Sequence, residues 1–105
     1  MAHYLVKAKP KQEKMKDLRE ALRRNAFIKM EPFGKALTYS LENARVRQHG
    51  HAIWEEEDYC SPPLKQERSA VLDDYFADIQ VEEVKKGQGW KQIEELPQLF
   101  GDLEE

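Results

Sequence analysis

Proline and glycine punctuation is the feature that most constrains this chain. Breaks fall at Pro10, at Glu31-Pro32-Phe33-Gly34, at Gln48-His49-Gly50, at Ser61-Pro62-Pro63 and at Lys85-Lys86-Gly87-Gln88-Gly89. Proline removes a backbone donor and glycine is costly to order, so each break ends the element before it. Only short elements fit between them. The longest apolar run is three residues, as in Tyr4-Leu5-Val6, whereas a membrane span needs about 20. No membrane partner and no targeting segment are expected. Without an internal repeat or a low-complexity linker, residues 1–105 read as one domain, with 86–105 a short C-terminal extension.

Periodicity assigns the pieces. His3 to Lys9 alternates Tyr4, Val6 and Ala8 against His3, Leu5 and Lys7, which is strand chemistry. From Lys11 to Lys29, Met15, Leu18, Leu22 and Ala26 recur at three- and four-residue steps, which predicts an amphipathic helix. Lys35 to Arg47 alternates Leu37, Tyr39 and Leu41 with Thr38, Ser40 and Glu42, predicting a second strand. The hairpin turn then falls at Gln48-His49-Gly50, or else at Glu42-Asn43, and a third strand runs from His51 to Tyr59. Ser61-Pro62-Pro63 signals a helix start. Leu64, Arg68, Val71, Leu72, Tyr75 and Phe76 form its stripe, with Glu67, Asp73 and Asp74 facing away. Ile79 to Val84 suits a last strand. From Trp90 the tail reads as a short helix or an edge strand laid across the domain, and residues 102–105 are expected to fray.

The expected order is therefore β-α-β-β-α-β, an α+β, ferredoxin-like arrangement with two helices on one face of an antiparallel sheet. The stretch Ala52-Ile53-Trp54-Glu55-Glu56, then Asp58-Tyr59, then Leu72-Asp73-Asp74-Tyr75-Phe76 and Ile79-Gln80-Val81-Glu82 carries a resemblance. Over roughly residues 2–84 it resembles the dimeric α/β-barrel branch of that fold, the antibiotic-biosynthesis-monooxygenase-like and muconolactone-isomerase-like small proteins. The resemblance implies a homodimer whose open sheet faces pack together and enclose a cavity. It also makes a cofactor-independent oxygenase the runner-up chemistry. The segment after Gly87 departs from the pattern, and no catalytic signature of that branch is present.

Composition agrees with pairing. Leu, Ile, Val and Phe number 23 of 105, charged residues reach 35%, and mean hydropathy is −0.84. Such a core is thin, and burying a face against a second copy would help it. Residues 1–35 carry a net +6 and residues 36–105 a net −9. Side-by-side helices of opposite sign read as self-complementarity within the domain or dimer. Tyr4, Tyr39 and Trp54 fall on the expected helix side, leaving no aromatic platform on the open face, so no nucleic-acid partner is expected. The single Cys60 cannot close an internal disulfide, which fits a cytoplasmic location. Its place at a helix start favours a thiolate, but no histidine adjoins it in sequence, and a buried inert thiol is the simpler expectation.

Alternation fixes the open face. If Tyr4, Val6, Leu37, Tyr39, Leu41, Ala52, Trp54 and Val81 face the helices, then His3, Leu5, Thr38, Ser40, Glu42, His51, Ile53, Glu55, Gln80 and Glu82 face away. A carboxylate beside an imidazole orients the ring and assists proton transfer near neutral pH. His51 with Glu55 is the first candidate pair, and His3 on the neighbouring strand the second. The run Glu55-Glu56-Glu57-Asp58 otherwise reads as a solvated strand end. His49 belongs to the turn, so three imidazoles do not gather, and neither metal nor cofactor is expected. The functional expectation is a small cytosolic homodimer with a cavity for a small organic ligand and acid–base chemistry by His51 and Glu55. The alternative is a non-catalytic interaction or assembly module whose open face is only a subunit contact.

Overall fold

The structure is a computed structural model that describes residues 2–58 and 61–101. Strand β1 (Ala2–Pro10) is followed by helices α1 (Gln12–Arg23) and α2 (Gly34–Glu42), and then by a short β2 (Arg45–Val46). A tight turn at residues 48–50 leads into β3 (Ala52–Asp58). The next helical run joins α3 (Lys65–Glu67) to α4 (Asp73–Tyr75) through a π-helical stretch at Arg68–Leu72. Strand β4 (Phe76–Val84) and helix α5 (Gln88–Ile93) complete the set. The class is α+β. The sheet has the order β2-β3-β1-β4, and every neighbouring pair is antiparallel.

Alternation along β1 and β3 divides the sheet as expected for most positions. Val6 and Ala8 sit with Ala52 and Trp54 in the main core, joined by Leu18 and Leu22 of α1 and by Leu72 of the π stretch. Trp54 packs on Phe76 with ring centroids 5.1 Å apart. The opposite face carries His3, Leu5 and Lys7 beside Ile53, Glu55 and Glu57.

The expected strand over residues 35–47 is mostly helix. Leu37 and Leu41 satisfy a period of two, but Gly34, Leu37, Thr38 and Leu41 also stand at i, i+3, i+4 and i+7, and all four are buried in α2. Gly34 makes this possible: a Cβ there would collide with the backbone carbonyl oxygens of Phe27 and Ile28. Tyr39, expected in the core, therefore points outward and is 60% exposed. Only Arg45–Val46 remains as strand. The Ser40 hydroxyl then donates to the Glu55 carbonyl at 2.8 Å, a bond that ties α2 to β3.

Three further expectations change. Val81 pairs with Val6 but lies on the marginal strand β4 and is 39% exposed. Glu67, expected to face solvent, is fully buried, while Arg68 is exposed and lies 3.6 Å from Asp73. The chain enters α3 through Leu64 in the left-handed region (φ 64°) and then takes the wider π turn, so the stripe is shifted from simple helical spacing. The acidic run is not a solvated end either: Glu55, Glu56 and Asp58 are buried because each accepts a donor. Beyond α5, residues 97–99 return to the other margin. The Val46 N–H donates to the Pro97 carbonyl and the Leu99 N–H to the Ala44 carbonyl, both at 2.8 Å.

Candidate functional site

Register on the open face determines which titratable side chains meet. Leu5 stands opposite Glu55, and His3 stands opposite Glu57. His3 and Glu55 are thus diagonal neighbours, a spacing within reach of long side chains. His3 Nδ1 lies 3.5 Å from Glu55 Oε2, and His3 Nε2 lies 3.6 Å from Glu57 Oε2. The imidazole sits between two carboxylates, one buried and one partly exposed to solvent.

His51 does not join them. It precedes β3, and its carbonyl accepts the Arg47 N–H at 2.8 Å to close the turn. Four strand residues put it about 13 Å along the chain from Glu55. The expected His51–Glu55 pair is therefore replaced by His3–Glu55. His49 is exposed in the turn with φ 69°. Among the described residues no group of three or more His, Cys, Asp or Glu side chains is placed to hold a metal ion. Cys60 lies outside the described residues, as do Tyr59 at the expected end of the third strand and residues 102–105 of the tail.

Helix α5 holds Glu55 in place. The Gly87 N–H donates to Oε2 at 2.9 Å, and the Trp90 N–H donates to Oε1 at 3.1 Å. These donors stand at the N-terminal end of the helix, where backbone N–H groups have no partner within it, so the carboxylate acts as its cap from a neighbouring strand. Gly89 is required for this approach, because a Cβ there would stand 2.8 Å from Oε1. Glu55 is a fixed acceptor whose two oxygens are already engaged. Its Oε2, which accepts the Gly87 N–H, is also the oxygen that lies nearest His3 Nδ1.

Around this pair lies a cavity of about 300 Å³. Its polar floor is His3, Glu55 and Glu57; Tyr39, Ala36 and Trp90 supply apolar wall, with Lys86 at its edge. Tyr39 and Trp90 meet edge to face, centroids 6.2 Å apart at 90°. The volume is at the lower end of the range for small-molecule sites, about 300–1,000 Å³, which combine apolar walls with a few convergent polar groups. Sequence periodicity assigned Tyr39 to a strand and Trp90 to a docking role. The signal for Tyr39 was the helical stripe of Gly34, Leu37, Thr38 and Leu41, which leaves position 39 outside it.

A second acidic group lies on the core face of the same strand. Glu56 accepts the Trp54 indole N–H at 2.9 Å, and Asp58 accepts the Leu64 N–H. Glu67 faces them from α3. Burial raises Glu56 well above the ordinary carboxylate range, reinforced by the neighbouring Glu67 and opposed by the Trp54 bond. Burial raises Glu67 as well. Both oxygens of Glu67 and the second oxygen of Glu56 take no hydrogen bond from an N–H or hydroxyl donor among the described residues, and the two carboxyl groups lie close enough for a proton to bridge them.

Comparison with known proteins gives no match to a family model, a curated protein or a solved structure. What the cavity does must be read from its own side chains.

Proposed function

We propose that this chain is a small ferredoxin-like, homodimeric cytosolic protein whose open-face cavity binds a small organic molecule and moves a proton at it through His3. The observation that carries this is the His3 imidazole held between Glu55 and Glu57 on the floor of a cavity walled by Tyr39 and Trp90. Glu55, fixed by two backbone donors, presents an acceptor to Nδ1. That leaves Nε2 as the nitrogen that exchanges a proton with a ligand or with Glu57.

The ferredoxin-like part is supported by the strand order. Two interlocked split βαβ units each leave a one-strand gap, and each fills the other's gap, which generates β2-β3-β1-β4 with antiparallel neighbours. The insertion of α2 and the shortening of β2 are departures from the simplest form. Pairing of two copies is supported by the uncovered part of the open face around Leu5 and Gln80, away from α5. The resemblance to the dimeric α/β-barrel branch points the same way.

The test is nuclear magnetic resonance on the full chain with its histidine rings labelled, screened against small aromatic and aliphatic metabolites. Binding that moves the His3 ring signals, and is lost in His3→Gln with the fold retained, is the expected result. A ligand that binds with His3 unmoved, or equally well to His3→Gln, overturns the assignment of His3. Light scattering at two concentrations tests pairing, and a monomer at micromolar concentration overturns that part alone.

A further inference from the structure

Beside the His3 cavity runs a second groove of about 400 Å³, and the two share Tyr39, Gly87 and Trp90. We propose that they form one elongated site, with the second groove holding the carboxylate of an arylalkanoate ligand whose ring lies against Tyr39 and Trp90. The inference rests on the His3 cavity reading above and names the ligand class for it.

Arg45 and Lys91 line this groove together with Asn43 and Glu94. Arg45 lies on β2, opposite Ile53, and so on the same sheet face as His3 and Glu55. Its Nη1 donates to the Leu96 carbonyl at 2.7 Å, which pins the side chain against the segment after α5. Its Nε is buried with no hydrogen-bond partner. Arg45 and Lys91 give the groove two cationic side chains against the single carboxylate of Glu94, and a carboxylate is the acceptor a guanidinium fits best. Among the described residues no carboxylate stands within ion-pair distance of Arg45 or Lys91, although Glu94 lines the same groove. The Asn43 amide is already committed to the Tyr39 carbonyl at 2.8 Å. Positive charge at one end, two aromatic rings in the middle and an imidazole between carboxylates at the other define the occupant. It is an anion at one end and apolar in its body, with its far edge reaching His3.

Two acid–amide pairs test this: phenylacetate with phenylacetamide, and indole-3-acetate with indole-3-acetamide. Each is titrated into the full-length chain while the Trp90 indole, Arg45 Nε–H and His3 ring resonances are followed. The acids are expected to bind about tenfold more tightly than the amides and to move all three signals. Arg45→Gln is expected to abolish the preference for the acid. Because Arg45 also holds the Leu96 carbonyl, the exposed Lys91→Gln is measured in parallel and is expected to reduce the preference with the fold intact. Equal binding of acid and amide with His3 moved overturns the anion subsite and leaves the His3 cavity standing. An acid preference that survives both substitutions also overturns the subsite. An acid that moves Arg45 and Trp90 but not His3 overturns the joined site, and the absence of any response to all four probes overturns the arylalkanoate class; in both cases the His3 cavity stands or falls by the metabolite screen above.

Discussion

Gly89 of α5 lies directly over Glu55 of β3, so close that a single added methyl would stand 2.8 Å from Oε1 and 3.1 Å from the Glu55 Cβ. In an ordinary helix Gly→Ala is favourable by up to about 1 kcal/mol. Here overpacking opposes that gain, at about 1–3 kcal/mol. Gly89→Ala is expected to lower stability by about 1–2 kcal/mol, or about 4–8 °C in melting temperature per kcal/mol for a chain of this size. Trimming the partner with Glu55→Ala should recover part of the loss in a double-mutant cycle. A melting temperature raised by Gly89→Ala alone would show that α5 does not press on Glu55.

Gly34 meets a harder neighbour. Its absent Cβ would collide with the Phe27 and Ile28 carbonyls, which are backbone atoms and cannot rotate away. The Gly34 N–H also donates to the Met30 carbonyl at 2.6 Å, so the start of α2 is tied down at this point. Gly34→Ala is expected to destabilise at or above the upper end of about 1–3 kcal/mol, more than Gly89→Ala does. Urea unfolding midpoints of the two variants measure the order, and a reversed order would mean that the segment at 27–34 yields more readily than a side chain.

The sheet was legible in the sequence where side chains follow one unambiguous period. Tyr4, Val6 and Ala8 against His3, Leu5 and Lys7 placed β1 correctly, and Ala52 and Trp54 placed the core face of β3. That alternation alone puts His3 and Glu55 on the open face. Residues 35–42 were ambiguous because Leu37 and Leu41 satisfy two periods at once. Long-range packing of α2 against β3, fitted through Gly34, selected the helix. The charged run 55–58 misled for a different reason. A carboxylate is expected in water unless it finds donors, and those donors, the Gly87, Trp90 and Leu64 N–H groups, lie up to 35 residues away. No local pattern records such partners. The pairing of Glu55 with His3 rather than His51 likewise depends on strand register, and Glu67 on a π turn that sequence spacing does not announce.

The Trp54 indole N–H donates to Glu56 at 2.9 Å in a fully buried setting. Trp54→Phe preserves a ring against Phe76 and deletes that donor. Leaving a buried acceptor unpaired costs about 1–3 kcal/mol, more when the acceptor is charged. The bond lowers the Glu56 pKa, so its removal should drive the group further toward the protonated form. The loss of stability in Trp54→Phe is therefore expected to be larger at pH 8.5 than at pH 5.5. A loss that is the same at both pH values would indicate a packing defect alone.

Burial of Glu56 and Glu67 gives the fold a contribution to stability that falls as pH rises. Both are raised above the ordinary carboxylate value, first by burial. A carboxyl whose folded pKa is raised binds its proton more tightly when folded. Its contribution to stability is complete below about pH 4.5 and is lost as pH rises through the folded value. This is opposite to the usual carboxylate, which is held ionised by a cation and loses stability in acid. The groups that bear on the pair are Asp58 and Trp54 on β3 and each other across the β3–α3 contact, and Asp58 adds repulsion as they ionise. Glu67→Gln removes one ionisable group and supplies an amide N–H₂ within the cluster. It is expected to raise stability at pH 8.5 by about 1–3 kcal/mol, with a smaller gain at pH 5.5, so that its unfolding midpoint changes less between the two than that of the parent chain. Urea midpoints for both chains at both pH values measure this. A parent chain more stable at pH 8.5 than at pH 5.5, with the same slope in Glu67→Gln, would show that other carboxyl groups dominate the linkage and that the buried pair is ionised in the folded state.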